Sequence, residues 1–546
     1  MIVSVASILF LFDEKRIELE HSISLTILHE SIKSIKFHFI LLIITMEYID
    51  TKYVQKNSIE KRDYQVNLAN QAIKENCVIV LPTGLGKTAI ALQVIAEYLS
   101  KGKGGILLLA PTRVLINQHY EFLKQNLTID DITLITGEVP ITKRAKLWNS
   151  SLICATPEIA KNDLDRQIVS PDQFSLIIYD EVHRTVGDYA YSGIAQRFEN
   201  SNLRILGMTA TLPSEKDKAT ELIVKLRIAS VAERTEDSPD VKPYIQETNT
   251  EWVSVELPPE MKAIQTLVKL ALDERYDTLR KNGIKLAEQQ SLSALLRIRQ
   301  FVLNQNRRSA KPLFTAIRIH YALNILEAHG ITSFLKFCER AEIKKGVGVK
   351  ELFEIDPNFT RAIHLAKDAQ SHGIEHSKIP KLKEIVESVP GKTLIFTSYR
   401  DSVDVIYKNL IAMGVTASIL IGKSGETGLK QKKQIETVQN FRDGLFRVLI
   451  ATRVGEEGLD ISEVNQVIFY DNVPSSIRYV QRRGRTGRKD TGKLVVLIAK
   501  NTIDETYYWI GKRKMTAAKA MGEKMTKILE KNQKIELQKT GLDVFL

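Results

Sequence analysis

The chain has 546 residues, enough for three or four domains, and its 44% apolar and 26% charged residues are typical of an ordinary globular protein. Its net charge of +12 is compatible with nucleic acid or another anionic partner. Three cysteines, far apart and odd in number, argue against a disulfide framework or a zinc cluster, so we expect a reducing, cytoplasmic setting.

The first 45 residues differ from the rest of the chain. Two apolar runs, at residues 2–12 and 37–44, are each too short to span a bilayer, and no small-residue cleavage site follows the first run. Met46 then opens a segment of ordinary composition. We expect translation to start at Met46, which makes residues 1–45 a non-native extension, and we expect no stable membrane association. A membrane-surface anchor is the alternative.

Two regions of the chain alternate short apolar strands with helical patterns, which is typical of parallel α/β sheets. The predicted strands are residues 78–81, 106–109, 133–136, 152–155, 176–179 and 204–208 in the first region, and 393–396, 417–420, 448–451, 466–470 and 494–498 in the second. Between the two regions, and again after residue 501, the apolar spacing becomes helical.

These patterns predict an α/β protein with two parallel-sheet domains, a helical insert between them and a helical C-terminal tail. The predicted divisions are residues 1–45 (extension), 46–235 (first α/β domain), 250–372 (insert), 376–505 (second α/β domain) and 506–546 (tail).

The segment LPTGLGKT, residues 81–88, joins a predicted buried strand to an amphipathic helix. The backbone N–H groups of a glycine-rich turn and a helix N-terminus bind phosphate, and glycines let the chain curve without a Cβ clash. Lys87 would reach the β- and γ-phosphates of a nucleotide, and Thr88 would offer its hydroxyl to Mg²⁺. The strict pattern has glycine where this chain has Leu81. The predicted nucleotide-binding residues of the loop are Thr83, Gly84, Leu85, Gly86, Lys87, Thr88 and Ala89.

A second motif, FSLIIYDEVHR, places Asp180 and Glu181 at the end of an apolar strand. The first carboxylate can hold Mg²⁺, and the second can orient and deprotonate an attacking water. A third motif, YVQRRGRTGRKD, interleaves arginines with glycines, and an arginine brought to the γ-phosphate from a second domain stabilises the transition state. The three motifs together predict a two-lobed motor with ATP in the cleft.

The ordered motifs resemble those of superfamily 2 helicases of the DEAH/DExH type, whose two α/β domains are RecA-like. In chain order they are RDYQ, LPTGLGKT, APTRVLINQH, ATPE, DEVH, TAT, LIFTSYR, ATRVGEEGLD and QRRGRTGR, with Val182 where the DEAH name has alanine. LPTGLGKT, GMTATLPS, GEEGLD and YVQRRGRTGR, together with a helical insert, resemble the archaeal Hef helicase and its relative FANCM. RIG-I-like and Dicer helicases share the insert and are the alternative.

The resemblance implies roles for individual residues, with ATP and Mg²⁺ as cofactors. Lys87, Thr88 and Asp180 would bind phosphate and metal, and Glu181 would be the base. The adenine would be read by Gln65 in the motif that begins at Arg62. The second lobe would supply Gln481, Arg485 and Arg488 to the γ-phosphate. It would also supply Gly455 and Asp460 to the nucleotide. His183 and Thr209–Thr211 would connect the state of the bound ATP to the nucleic-acid groove.

Four residues are implied contacts to a phosphodiester backbone: Thr112, Arg113, Thr156 and Thr452. Such contacts position a strand but carry no sequence information, so we expect sequence-nonspecific, salt-dependent binding. The insert supports the same interpretation, because residues 289–326 contain no Asp or Glu. Its basic residues are Arg297, Arg299, Arg307, Arg308, Lys311 and Arg318. A solvated basic face is the alternative.

The chain ends in QKTGLDVFL, which resembles the sliding-clamp (PCNA) binding peptides of archaeal proteins, although Gln538 is one residue too far from Leu542. A frayed terminal helix is the alternative. No nuclease signature follows the arginine motif, so we expect no nuclease activity.

The sequence thus predicts an ATP-dependent DNA helicase or translocase that acts on forked or branched DNA in repair and replication-fork processing. A duplex-RNA-directed ATPase and a clamp-bound scaffold for branched DNA are the alternatives.

Overall fold

The structure is a computed structural model and describes residues 47–187, 189–245, 248–287, 290–344, 346–422, 431–452, 464–475 and 492–543. Several predictions lie outside these residues and remain predictions. They concern the extension at residues 1–45, Gly455 and Asp460, Gln481, Arg485 and Arg488, and the last three residues of the clamp-like peptide.

The first lobe is a parallel sheet between two layers of helices, as predicted. Its strands are β1 (Cys77–Val80), β2 (Gly105–Leu109), β3 (Ile132–Ile135), β4 (Leu152–Ala155), β5 (Phe174–Asp180), β6 (Arg204–Thr209) and β7 (Ser230–Glu233). Its helices are α1 (Asp63–Lys74), α2 (Lys87–Lys101), α3 (Arg113–Asn126), α4 (Ile141–Leu147), α5 (Pro157–Asp165), α6 (Ala190–Arg197) and α7 (Lys216–Lys225).

The order of this sheet, β3-β4-β2-β5-β6-β1-β7, brings the motifs together. Successive side chains of a strand point to opposite faces, so Cys77 and Ile79 of β1 enter one core while Val78 and Val80 enter the other. Parallel strands end at one edge, and there the segment after β6 lies between the segments that follow β1 and β5. The glycine-rich loop, the Thr-Ala-Thr segment and the Asp-Glu pair therefore meet at that edge.

The insert is helical, as predicted. It contains α8 (Pro259–Lys281), α9 (Leu292–Gln305), α10 (Ala310–His329), α11 (Ile331–Ile343) and α12 (Pro357–Ser371). The long helix α8 packs against α10 and α12 through an apolar face that includes Ile264, Val268 and Leu279, each fully buried. Apolar residues at helical spacing thus give the insert a core of its own.

The second lobe repeats the parallel α/β architecture, which confirms the predicted fold class. It consists of β8 (Thr248–Val255), β9 (Thr393–Phe396), β10 (Ala417–Leu420), β11 (Val448–Ala451), β12 (Gln466–Phe469), β13 (Gly492–Ala499), α13 (Lys378–Ser388), α14 (Arg400–Ala412) and α15 (Gln431–Arg442). The strand order is β10-β11-β9-β12-β13-β8, with all pairs parallel.

Two strands were not predicted, and both lie at a sheet edge: β7 in the first lobe and β8 in the second. An edge strand exposes more of its surface than a central one, so its sequence lacks the continuous apolar run that marks a buried parallel strand. The strand β8 precedes the insert, and it joins the second sheet by pairing with β13 along its whole length.

The tail forms one long helix, α16 (Ile503–Asp543), which begins beside β13 and reaches the first lobe. Met521 and Met525 are buried in a core of the first lobe, and Lys519 pairs with Asp237 at 3.0 Å. The tail therefore connects the two lobes directly. Within the described residues, no helix combines the length and the apolar character needed to cross a bilayer.

Candidate active site

The glycine-rich loop curves between β1 and α2 through two residues with positive φ. Gly84 has φ +88° and Gly86 has φ +81°, a region that favours glycine. A Cβ at Gly86 would lie 2.4 Å from the Nε2 atom of Gln65, so any larger residue at this position would displace the Gln65 side chain. Lys87 opens α2, and its Nζ donates to the carbonyl of Leu81 at 2.9 Å.

A buried histidine connects the two predicted metal ligands. The Nε2 atom of His119 lies 2.9 Å from Oδ2 of Asp180, and its Nδ1 atom lies 3.4 Å from Oγ1 of Thr88. His119 is in α3, Asp180 ends β5 and Thr88 begins α2, so three separate segments contribute. His119 ends the motif APTRVLINQH, but no role was predicted for it, because no local pattern shows which residues it contacts.

The contacts of His119 constrain the Thr88 hydroxyl. A carboxylate only accepts hydrogen bonds, so a neutral His119 ring carries its proton on Nε2 and donates it to Asp180. The Nδ1 atom is then an acceptor, and the Thr88 hydroxyl donates to it. This orientation points the hydroxyl proton at the ring and leaves the oxygen lone pairs of Thr88 for a cation.

The environment of Asp180 keeps its carboxyl group ionised. Burial alone would raise the pKa of Asp180, but the interaction with His119 and the nearby charge of Lys87 outweigh burial, so the pKa lies below its usual value. The backbone carbonyl of Asp180 accepts a hydrogen bond from the Tyr191 hydroxyl at 2.8 Å, which fixes the end of β5. Asp180 is therefore a positioned carboxylate at neutral pH.

The next residues couple the Asp-Glu pair to the segment after β6. Glu181 adopts a left-handed conformation with φ +52°, a costly state for a residue with a side chain and one that is concentrated at functional sites. His183 lies with its Nδ1 atom 3.1 Å from Oγ1 of Thr209. Burial lowers the pKa of His183 to about 3, so its ring is neutral at physiological pH. Thr209 in turn donates to the carbonyl of Thr211 at 2.9 Å.

Gln65, which is predicted to read the adenine, lies against the same loop. Nε2 of Gln65 donates to the carbonyl of Leu85 at 3.1 Å, while its Oε1 atom is buried and has no hydrogen-bond partner in the described structure. The neighbouring Tyr64 hydroxyl donates to the same carbonyl at 2.8 Å. The guanidinium of Arg62 lies 4.9 Å from the ring centroid of Tyr244, an aromatic residue that the sequence did not single out. An orphaned buried acceptor beside a positive-φ loop is a site prepared for a polar ligand.

The donor set fits Mg²⁺. This ion prefers oxygen ligands, and it is typically held by one or two carboxylates together with substrate phosphates and waters. Thr88 and Asp180 offer one hydroxyl and one carboxylate, joined through His119. In the described part of the chain, no cluster of three or more His, Cys, Asp and Glu side chains could hold a metal on its own. The site therefore suits a metal that arrives with a nucleotide.

The predicted backbone contacts at the strand ends differ in accessibility. Thr112 caps α3 by accepting from the amide of Leu115 at 3.2 Å, and Arg113 is exposed and pairs with Glu138 at 3.2 Å. Thr156 and Thr452 are only 5% and 7% exposed, which leaves little of either hydroxyl for a phosphate. These four contacts remain predictions.

The predicted basic face of the insert is exposed. Arg297, Arg299, Arg307 and Arg308 all project to solvent, on α9 and the short turn that follows it. Of the six basic residues that the sequence singled out, Lys311 alone pairs with a carboxylate among the described residues, with Glu351 at 2.5 Å. Arg318 is half-buried, whereas the four exposed arginines have no carboxylate within ion-pair distance among the described residues.

Comparison with known proteins shows which family the chain resembles. Residues 62–219 match the DEAD/DEAH box helicase family, and residues 377–490 match the helicase conserved C-terminal domain. The Hef helicase domain of Pyrococcus furiosus, a solved structure, shares 35% identity with a TM-score of 0.60, over 82% of this chain and 97% of that one.

Two curated relatives are longer than this chain. A provisionally named ATP-dependent RNA helicase of Methanocaldococcus jannaschii is 36% identical over 89% of this chain and 63% of its own length. The ATP-dependent DNA helicase mph1 of Sclerotinia sclerotiorum is 31% identical over 84% of this chain and 41% of its own length. The chain thus spans less than two thirds of either relative. Because the Hef domain is matched almost completely, the chain belongs to the superfamily 2 helicases of the Hef and FANCM type.

Proposed function

We propose that the chain is a DNA helicase or translocase that acts on forked or branched DNA in repair and replication-fork processing. The observation that carries the proposal is the row of exposed insert arginines without carboxylate partners, in the same molecule as a nucleotide site. Arginine side chains are well suited to phosphate groups, and contacts to a phosphate backbone carry no sequence information.

Hydrolysis would be divided among residues of the first lobe. Lys87 would bind the β- and γ-phosphates, Thr88 and Asp180 would hold Mg²⁺, and Glu181 would orient the attacking water and take its proton. When bound, Mg²⁺ neutralises charge that develops on the phosphate oxygens. His119 would keep both metal ligands in position through its contacts with Thr88 and Asp180. The contact between His183 and Thr209 would connect the state of the nucleotide to the nucleic-acid groove.

The second lobe would complete the site through Arg485 and Arg488, which makes hydrolysis depend on closure of the two lobes. Replacing both with alanine should reduce DNA-stimulated ATP hydrolysis at least about 1,000-fold, the typical contribution of a transferred arginine, while DNA binding persists. Unchanged stimulated turnover in this double variant would refute the proposed closure.

Charge reversal tests the insert. Arg307→Glu with Arg308→Glu should weaken binding to a DNA fork and flatten its salt dependence, because fewer counterions are released. The control is Lys383→Glu with Lys408→Glu, which makes the same change of charge at two exposed residues of the second lobe. Equal affinity of the two variants at moderate salt would contradict the proposed face.

An RNA-directed ATPase is the second candidate, and the name of the Methanocaldococcus jannaschii relative favours it. The test is ATP hydrolysis and strand displacement across matched DNA forks, DNA duplexes, RNA forks and RNA duplexes. We expect DNA forks to give the largest stimulation and to be unwound. Preferential stimulation by duplex RNA would favour the second candidate instead.

A further inference from the structure

A cavity of about 390 Å³ opens where the insert meets the second lobe. Its volume falls within the range of about 300–1,000 Å³ that is usual for ligand sites. The walls come from α10, α11 and the residue that precedes α14. They carry the aromatic rings of Phe314, Tyr321, Phe337 and Tyr399 and the cationic groups of Arg318 and Lys344.

The charges around the cavity are not balanced. A third cationic group, that of Arg340, is neutralised by two hydrogen bonds to the Asp401 carboxylate, at 2.9 and 2.5 Å. Arg318 is half-buried, and burial lowers its pKa; it donates to the carbonyl of Val347 at 3.0 Å. Neither Arg318 nor Lys344 has a carboxylate within ion-pair distance among the described residues. A partly desolvated guanidinium without an anion is unfavourable, so the cavity suits an anionic ligand.

The cavity lies near the ends of β9 and β11 in the second lobe. Tyr399 follows β9, and β9 pairs with β11 so that Phe396 lies opposite Ala451, the residue before Thr452. On its other side, the guanidinium of Arg299 lies 5.5 Å from the ring centroid of Phe314. The cavity thus lies between the segment that follows β9 in the second lobe and the exposed Arg299 of the insert.

We propose that this cavity binds one unpaired nucleotide of a nucleic-acid strand, with its base stacked on the lining rings and its phosphate on Arg318 and Lys344. Aromatic rings next to cations are the combination by which proteins bind single strands without sequence preference. The inference rests on the proposed function, because an unpaired nucleotide is presented at a fork. A captured base cannot re-pair with its complement, so the site would help to keep separated strands apart.

The test uses forked DNA in which 2-aminopurine replaces one base at a time near the junction, read by fluorescence quenching and by anisotropy. Tyr321, which is 42% exposed, is the ring to change. Tyr321→Ala should weaken fork binding about 5- to 100-fold and abolish the quenching, while Tyr321→Trp should retain both. Trp252→Ala is the matched control, because Trp252 is 52% exposed on β8, at the far edge of the second sheet.

Two further arms identify the ligand. The first arm uses a fork with an abasic nucleotide at the quenched position. Its affinity for the unaltered protein should fall by as much as the affinity of the normal fork falls when Tyr321 is replaced by alanine. Combining the abasic fork with Tyr321→Ala should cause no further loss. Arg318→Gln should reduce the slope of log affinity against log salt concentration by about 1, as expected for one lost phosphate contact.

The outcomes separate this inference from the proposed function. Fork-stimulated ATP hydrolysis with no quenching at any position would overturn the cavity assignment alone. Equal losses for forked and fully paired DNA in Tyr321→Ala would also overturn it, as would a free mononucleotide that binds as tightly as the strand. A protein that neither binds forks nor responds to them would overturn both.

Discussion

The two lobes share one architecture, but a buried polar contact has a different role in each. In the second lobe, the ammonium of Lys378 is fully buried and donates to the carbonyl of Tyr470 at 2.7 Å, to Asp504 at 2.9 Å and to the carbonyl of Ala328 at 3.4 Å. Asp504 also accepts from the amides of Asn472 and Ala499. Every proton of the ammonium is therefore used within the protein.

The buried contact around His119 in the first lobe is incomplete by comparison. His119 bridges Thr88 and Asp180, and this arrangement leaves the oxygen lone pairs of Thr88 for a cation. A saturated pair specifies a fold, whereas a pair with spare oxygen ligands can bind something that the chain does not supply. The same type of sheet thus serves as a scaffold in one lobe and as the platform of the proposed nucleotide site in the other.

The largest expected effect is on the saturated pair. Lys378→Met should lower the free energy of unfolding by about 3–5 kcal/mol, because it leaves the Asp504 carboxylate buried without a counter-charge. Urea denaturation measures the change. Adding Asp504→Asn should recover part of it, since the amide oxygen still accepts from the backbone. Lys381→Met, which removes a surface partner of Glu384, is the control and should cost no more than about 1 kcal/mol. Equal losses in the two lysine variants would show that the second-lobe pair is not structural.

Lys87→Ala should have the opposite signature. We expect ATP hydrolysis to fall about 100- to 1,000-fold, as for loss of one preorganised donor to the transition state, with the unfolding free energy nearly unchanged. Lys101→Ala, at the far end of the same helix, is the matched control and should retain activity. Steady-state hydrolysis and urea denaturation of both variants give the two readouts. If Lys87→Ala destabilised the protein as much as Lys378→Met, the contrast between the lobes would be lost.

The contrast also explains what the sequence could predict. Lys87 and Thr88 stand in one short loop, and Asp180 ends a continuous apolar strand, so local patterns were enough to locate them. Lys378 and Asp504 are 126 residues apart, and neither stands in a distinctive pattern. His119 and Asp180 are 61 residues apart, so no local pattern could predict their contact, although His119 lies in a recognised motif. The fold class was predicted from the buried strands. The two strands that were not predicted, β7 and β8, lie at sheet edges, where burial is weakest.

His119 tests whether the incomplete pair is a metal site. His119→Ala should raise the Mg²⁺ concentration needed for half-maximal binding of a fluorescent ADP analogue about 10- to 100-fold, the usual cost of removing a group that orients metal ligands. His119→Gln should recover part of the affinity, because its amide can still donate to Asp180. His364→Ala, at an exposed residue of the insert, is the control. A uniform loss of nucleotide binding at all Mg²⁺ concentrations would indicate a folding defect instead.

The smallest effect is expected where the two lobes are joined by the tail. Glu233 ends β7 beneath α16; burial and the nearby Glu523 raise its pKa to about 7, and Lys519 acts in the opposite direction. A carboxyl whose pKa is raised by folding binds more protons in the folded state than in the unfolded state. Stability should therefore fall as the pH rises from about 4.5 towards 7.

Glu233→Gln should remove this slope and raise the melting temperature at pH 8 relative to the unaltered protein. Thermal melts between pH 5 and pH 8 measure the difference. Glu251→Gln, on the exposed edge strand β8, is the matched control and should keep the slope. A slope that persists in Glu233→Gln would place its origin elsewhere. Loss of the slope would show that the contact joining the lobes contains a buried carboxyl group without a full counter-charge. The Lys378–Asp504 pair, by contrast, has its counter-charge.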